Sequence, residues 1–324
     1  MGQRRGYLSG LAAYLMWGFF PIYFHDLRPA GAVEILADRI VWSAVSVAVL
    51  ITVVRRWGAL RDLARQPRTV AGIAIAAVLI AFNWGTYIYG VNSGQVIETS
   101  LGYFINPLLS VLLGVFVFRE RLSVAQWIAI GIGAAAVAVI TVDYGHLPWI
   151  ALILAASFGS YGLVKKRLAL PPAEGLQMEA TMLLLPALGY LGWLTAAGRS
   201  TFAAVSTTHT VLLLLSGIMT AVPLLLFADA ANRIPLTGLG IVQYTTPVLQ
   251  LFVGLLIFHE PLPPAELAGF ALVWLAIVIF TWDALRSARR TRPQPLAPQP
   301  LAHDGPTVRA TLTLDEAATL DAAP

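Results

Sequence analysis

The chain has no cysteine and little charge. The missing thiols exclude disulfides, thiolate metal sites and cysteine nucleophiles. Charged residues are 12% of the total, about half the fraction of a soluble domain. Nucleotide-binding and zinc-hydrolase signatures are missing too. There is no Walker loop and no His-Glu-x-x-His, and the five histidines are scattered at positions 25, 146, 209, 259 and 303. No cofactor and no metal is therefore expected. Without an ATP site, any movement of solutes must draw on gradients or exchange.

What is present is apolar. Hydrophobic residues make up 58% of the 324, and mean hydropathy is +0.75. They fall in blocks near 20 residues, the length that crosses a bilayer core as a helix. Ten blocks are expected as spans: 7–25, 33–54, 70–91, 96–118, 124–142, 147–165, 176–198, 208–230, 237–259 and 264–284. Open strands would leave backbone groups unpaired in lipid, so the fold class is an all-α polytopic membrane protein. The first block follows Arg4 and Arg5 as a signal peptide would. No small-x-small cleavage site follows it, and it has a counterpart in the second half. Gly6 stands where a myristoylation signal needs Ser or Thr.

The net charge of +4 reflects arginines in alternate loops rather than a nucleic-acid partner. Of 21 Lys and Arg, 18 lie in segments assigned to the inside. Arg28 and Arg199 are assigned to the outside, and Arg39 lies within a span. The positive-inside rule then puts both termini in the cytoplasm.

The chain also repeats itself at an offset of 140 positions. Pro107 matches Pro247, Leu109 matches Leu249, Gly114 matches Gly254, Phe118 matches Phe258 and Glu120 matches Glu260. Five spans per half is an odd number, so the second half enters the membrane inverted. The charges agree. Arg119 and Arg121 flank Glu120, whereas His259 and Pro261 flank Glu260, where the loop is placed outside. The expected organisation is one five-helix repeat over 1–146, an inverted one over 147–285, and a Pro-rich, disordered cytoplasmic tail over 286–324. Internal repeats of this kind suit a carrier that rocks about a central site.

Polar residues inside spans mark candidate sites, because burying them is costly. Arg39 lies about two turns into the second span, with Ser43 and Ser46 at i+4 and i+7. It serves either as an anion anchor in a solute vestibule or as a structural charge, paired with Glu34 or Asp38 or snorkelling outward. The third span carries Asn83 and Trp84. The fourth carries Glu98, Tyr103 and Asn106 before Pro107. Pro107 frees the carbonyl of Tyr103, and Pro247 that of Gln243, which stands beside Tyr244. Two kinked helices with polar groups at equivalent positions point to a cavity. Singly, each of these side chains could instead only bond neighbouring helices. Glu98 is a candidate proton carrier; otherwise it caps a helix near the outer surface or pairs with Arg39. Small residues at spacing four, such as Ser216 and Thr220 or Gly217 and Ala221, allow close helix crossing first, and leave a homodimer open.

These residues also resemble a known family. Glu34-Ile35-Leu36 with Arg39-Ile40-Val41-Trp42-Ser43 is one match, and Ser100-Leu101-Gly102-Tyr103-Phe104-Ile105-Asn106-Pro107-Leu108 another. Asn83-Trp84 and Pro223-Leu224-Leu225-Leu226-Phe227 with Gln243-Tyr244 complete the set. Together they resemble the RarD branch of the EamA transporters, in the drug/metabolite transporter superfamily, over residues 5–285. The resemblance implies ten helices in two inverted EamA repeats around a central cavity. It implies a bacterial inner-membrane permease exporting or exchanging a drug, an amino acid or another metabolite. Its partners would be that solute and membrane lipid. Two other classes remain. A membrane-embedded enzyme needs a cluster of acids, histidines or metal ligands at one face, which the sequence does not supply. A scaffold or sensor would act through its tail.

Overall fold

The computed structural model describes residues 2–118, 122–168, 170–234 and 242–290. The loop residue Glu120, and the expected tail from residue 291 onward, lie outside the described residues. Among the described residues there are helices and no strands. In chain order they are α1 (Gly2–Gly18), α2 (Phe20–Asp26), α3 (Ala32–Val53), α4 (Trp57–Ala64), α5 (Pro67–Asn92) and α6 (Val96–Phe118). Then follow α7 (Val124–Tyr144), α8 (Trp149–Leu168), α9 (Pro172–Ala196), α10 (Thr207–Arg233), α11 (Thr245–Phe252) and α12 (Pro264–Arg290). A π-helical turn, Val253–Ile257, extends α11.

Six stretches are long and apolar enough to cross a membrane, namely Gln3–Asp26, Ala32–Val53, Pro67–Asn92, Val124–Asp143, Thr207–Phe227 and Pro264–Asp283. Two shorter apolar helices, Trp149–Lys165 and Thr245–Ile257, stand beside them. Large apolar side chains face outward along these elements, including Phe82, Val142, Leu185 and Val278. Trp57, Trp127, Trp149, Trp193 and Trp282 are exposed near helix ends, the level at which indoles favour a membrane interface. This is a multi-pass membrane protein.

Helix boundaries follow from local chemistry. Ser123 and Gln126 form a capping box at the start of α7, and Gly145 ends that helix in the left-handed region at φ 69. Ser206 accepts from the His209 N–H to start α10. The first block, expected as one span, is broken at Phe19. Pro21 has no N–H to give the carbonyl of Trp17 four residues back. That carbonyl accepts instead from Gln250 Nε2 of α11, at 3.2 Å. Pro107 lies inside α6 as expected. Pro247 does not lie mid-helix. It sits in the first turn of α11, which begins at Thr245, where a missing N–H is tolerated.

The two halves of the chain interlock within the Met1–Arg286 unit. The most extensive contacts join α6 to α8, α1 to α10, α3 to α9 and α10, and α5 to α8. One buried cluster, including Phe24, Ile35, Tyr87, Ile88, Leu154 and Leu213, ties α2, α3, α5, α8 and α10 together. A second, including Leu101, Phe104, Ile140, Ala151, Leu251 and Phe270, ties α6, α7, α8, α11 and α12. Glycines permit the tightest crossings. A Cβ on Gly102 would lie 2.8 Å from the Ala151 carbonyl oxygen. A Cβ on Gly217 would collide with the backbone carbonyl of Trp42 in α3. Backbone cannot swing aside as a side chain can. Gly217→Ala should therefore destabilise the fold by roughly 1–3 kcal/mol, the usual range for overpacking. Thermal unfolding in detergent reads this, with Gly162→Ala, where a Cβ meets open space, as the matched control.

Candidate functional site: a buried arginine between the two halves

Arg39 is 4% exposed. The carboxylates expected as its partners do not pair with it. Glu34 Oε1 accepts from the Thr201 N–H at 2.6 Å and the Ser200 hydroxyl at 3.2 Å. Among the described residues, no ion pair joins Arg39 to Asp38 or to any other carboxylate. The guanidinium instead donates from Nε to Thr220 Oγ1 of α10, at 2.8 Å. Aromatic faces complete its surroundings. Its central carbon lies 4.0 Å from the Trp84 ring centroid, 5.5 Å from Phe24 and 5.8 Å from Phe20. Each such face offers a guanidinium about 0.5–2 kcal/mol, most when water is excluded. That offsets part of the burial cost and supplies no negative charge.

Asn83 directly precedes Trp84 on α5. Its amide donates to the Leu154 carbonyl at 3.1 Å and to Ser157 Oγ at 3.0 Å. The Tyr103 hydroxyl reaches Asn83 Oδ1 at 3.4 Å. Tyr103 also meets Tyr87 and Phe158 edge-on, with centroids 5.8 and 6.2 Å apart. The Tyr87 hydroxyl accepts from Gln250 Nε2 at 3.1 Å. Arg39, Trp84, Asn83 and Tyr103 thus share one aromatic and polar region built from α2, α3, α5, α6, α8, α10 and α11.

Other expected site residues lie elsewhere. Tyr244 stacks on Phe104 at 6.5 Å, in the cluster between α6 and α12. Gln243 precedes it, just after the undescribed 235–241. Asn106 is buried on α6, three residues beyond Tyr103. The Pro247 carbonyl accepts from the Ser100 hydroxyl at 2.7 Å, which ties α6 and α11 together. Glu98 caps α8: its Oε1 accepts from the N–H groups of Ile150 at 3.0 Å and Ala151 at 3.4 Å. Glu260 does the same for α6, accepting from Val96 and Ile97, each at 2.8 Å. Both border a cavity of about 260 Å³ with Gln95, His146 and Glu266.

Several residues of the region carry no signal that sequence reading used. Phe20, Phe24 and Tyr23 are ordinary aromatics in an apolar block. Glu179 of α9 is buried, and its Oε1 accepts from Lys165 Nζ of α8 at 2.7 Å. A carboxylate paired across two apolar helices is the kind of signal that would have found it.

Comparison with known proteins places the chain in a family. The EamA-like transporter family is matched twice, over residues 4–142 and again over 147–282. The chain belongs to the EamA-like transporter family, and it is a membrane transporter of small solutes. A protein named RarD from Streptomyces exfoliatus is 52% identical over 95% of this chain and 96% of its own length. An uncharacterized transporter of Pseudomonas aeruginosa is 42% identical, over 90% of this chain and 98% of its own. The Escherichia coli protein named RarD is 38% identical, over 89% and 97%. A protein solved by crystallography shares the fold at TM-score 0.56 and 19% identity, covering 88% of this chain and 99% of that one.

The Asn83 contacts give a stability test. Asn83→Leu removes two hydrogen bonds of ordinary length inside the bundle and should cost roughly 1–3 kcal/mol. Tyr103→Phe removes only a long contact and should cost under about 1 kcal/mol. Equal losses in detergent unfolding would contradict this ranking.

Proposed function

We propose that this chain is a secondary transporter that exports or exchanges a small organic solute by alternating access. Ten spans form two inverted repeats, over 1–146 and 147–285, in a bacterial inner membrane with both termini cytoplasmic. The observation that carries the reading is the isolated positive charge of Arg39. It stands between α3 of the first repeat and α10 of the second, held by a hydroxyl and three aromatic rings. Arg39 anchors an anionic group of the solute, and Trp84, Asn83 and Tyr103 form the walls. Asn106, Gln243 and Tyr244 complete the lining as the bundle rocks, beside Pro107 inside α6 and Pro247 in the first turn of α11. Glu98, the sequence's candidate proton carrier, holds α8 in the described conformation.

A panel of small carboxylates, amino acids and amphenicols, screened by thermal shift in detergent, tests the anchor. A binder at about 100 times its Kd stabilises the fold by about 2.7 kcal/mol. Arg39→Ala should remove that stabilisation while leaving a folded protein, and Arg39→Lys should weaken it, since an ammonium lacks the planar fork. A carboxylate that stabilises wild type and Arg39→Ala equally rules out the anchor. Counterflow in proteoliposomes with the best binder then reads transport itself.

A further inference from the structure

Glu179 sits two turns into α9, 2% exposed, and the solute site just described does not use it. Its carboxylate holds Lys165 Nζ at 2.7 Å through Oε1 and the Tyr161 hydroxyl at 3.1 Å through Oε2. The Lys165 ammonium also lies 5.6 Å from the Tyr161 ring centroid. Gly175 makes room for it: a Cβ there would stand 2.8 Å from Nζ. Buried ion pairs often stabilise a fold no better than apolar residues of the same volume. An ionisable pair inside a membrane bundle therefore points to a task.

Three observations place that task. First, Glu179 borders a cavity of about 10 Å³, room for about one water, with Ile40, Ser43, Ile80 and Trp84. The Ser43 hydroxyl is buried there without a hydrogen-bond partner. Ser43 is one turn from Arg39, and Trp84 carries the guanidinium on its face, so this cavity adjoins the anion site. Second, an aromatic series leads from that site to the pair. Tyr103 meets Phe158 at 6.2 Å, and Phe158 meets Tyr161 at 6.0 Å. Third, the two partners differ in exposure. The Lys165 side chain is 25% exposed and lies within a turn of the end of α8, whereas that of Glu179 is 3% exposed. Lysine can leave into water and keep its charge. Glutamate has no such exit.

Most of the charged neighbours have partners of their own. Glu174, on the same helix, pairs with Arg56 beside α4 at 3.1 Å. From α3 the charges are Arg39, on Trp84, and Asp38, whose Oδ2 is buried without a hydrogen-bond partner. The faces of α3 and α5 lining the cavity bring Ile40, Ser43, Ile80 and Trp84, all uncharged. On α10, Asp229 and Arg233 pair with each other.

We propose that Glu179 is a proton-exchange site and that Lys165 is the cation competing with the proton for it. This rests on the transporter reading above. When a proton binds the Glu179 carboxylate, the Lys165 ammonium is released to water, and the α8–α9 end of the solute site opens. When Lys165 returns, the proton leaves and that end closes. One proton is gained and lost per cycle, and no other reactant is needed.

Two measurements test this, and neither uses a solute, so their failure is separable from failure of the anion anchor. Infrared difference spectra of the purified chain on acidification should show the carbonyl stretch of a protonated carboxyl, and Glu179→Gln should lose that band. A band unchanged in Glu179→Gln, or none in wild type, overturns the assignment. The second measurement uses the absence of native cysteine. A single cysteine at Ser43 is labelled with a water-soluble maleimide, its rate taken relative to a cysteine at the exposed Arg65. That ratio should rise several-fold on acidification. Glu179→Gln and Lys165→Gln should each make it high at neutral pH and insensitive to pH. Either variant suffices if the other does not fold. A ratio that breaking the pair leaves unchanged overturns the gate.

Discussion

A charge taken out of water must recover from protein the contacts that water supplied, and this requirement arranges the polar residues of the bundle. Three solutions coexist. Glu34, Glu98 and Glu260 take backbone N–H groups of other segments. Such bonds to an ionised acceptor are roughly twice as strong as neutral ones, and those of Glu98 and Glu260 answer orphan donors at the starts of α8 and α6. Lys165 and Glu179 answer each other. Among the described residues, Arg39 is held by neither carboxylate nor backbone carbonyl, only by Thr220 and aromatic faces. The first solvates the charge in place of water, and the second pairs it with its opposite. The third holds a positive charge on a hydroxyl and aromatic faces, with no carboxylate paired to it among the described residues.

The carboxylates also decide how the halves are joined. Glu260, at the end of α11, closes the first turn of α6. Ser100 of α6 bonds the Pro247 carbonyl of α11. The π-helical turn Val253–Ile257 and the left-handed His259 at φ 52 bring Glu260 back onto α6. Each half thus supplies groups that the other needs, and α6 and α11 are held as a pair.

Much of the helix pattern was legible because hydrophobic length is a direct physical requirement of the bilayer. The blocks expected at 33–54, 70–91 and 96–118 correspond to Ala32–Val53, Pro67–Asn92 and Val96–Phe118. Breaks caused by proline were read unevenly. Pro107 and Pro247 stood out through repetition, whereas Pro21 has no matched partner and its effect at Phe19 went unseen. Arg39, Trp84, Asn83 and Tyr103 were legible as polar or amphipathic groups in apolar surroundings. Phe20 and Phe24 were not, since an aromatic in an apolar helix looks the same whether it faces lipid or a cation. Glu179 escaped for a related reason. A boundary drawn from hydropathy stops at charge, which put Glu179 near the start of a block at 176 and Lys165 at the end of one. The helices run on, from Pro172 and to Leu168, and carry both residues inside the bundle.

The contact between Gly217 and the Trp42 carbonyl has a geometric consequence. Where two helices meet through main chain, no rotamer can change their separation. Side-chain layers elsewhere can shear or repack, but this point cannot be compressed. α3 and α10 can pivot or roll about it and cannot approach further. The distance across which Thr220 reaches Arg39 is therefore set by peptide geometry, and sequence drift in the surrounding side chains leaves it unchanged.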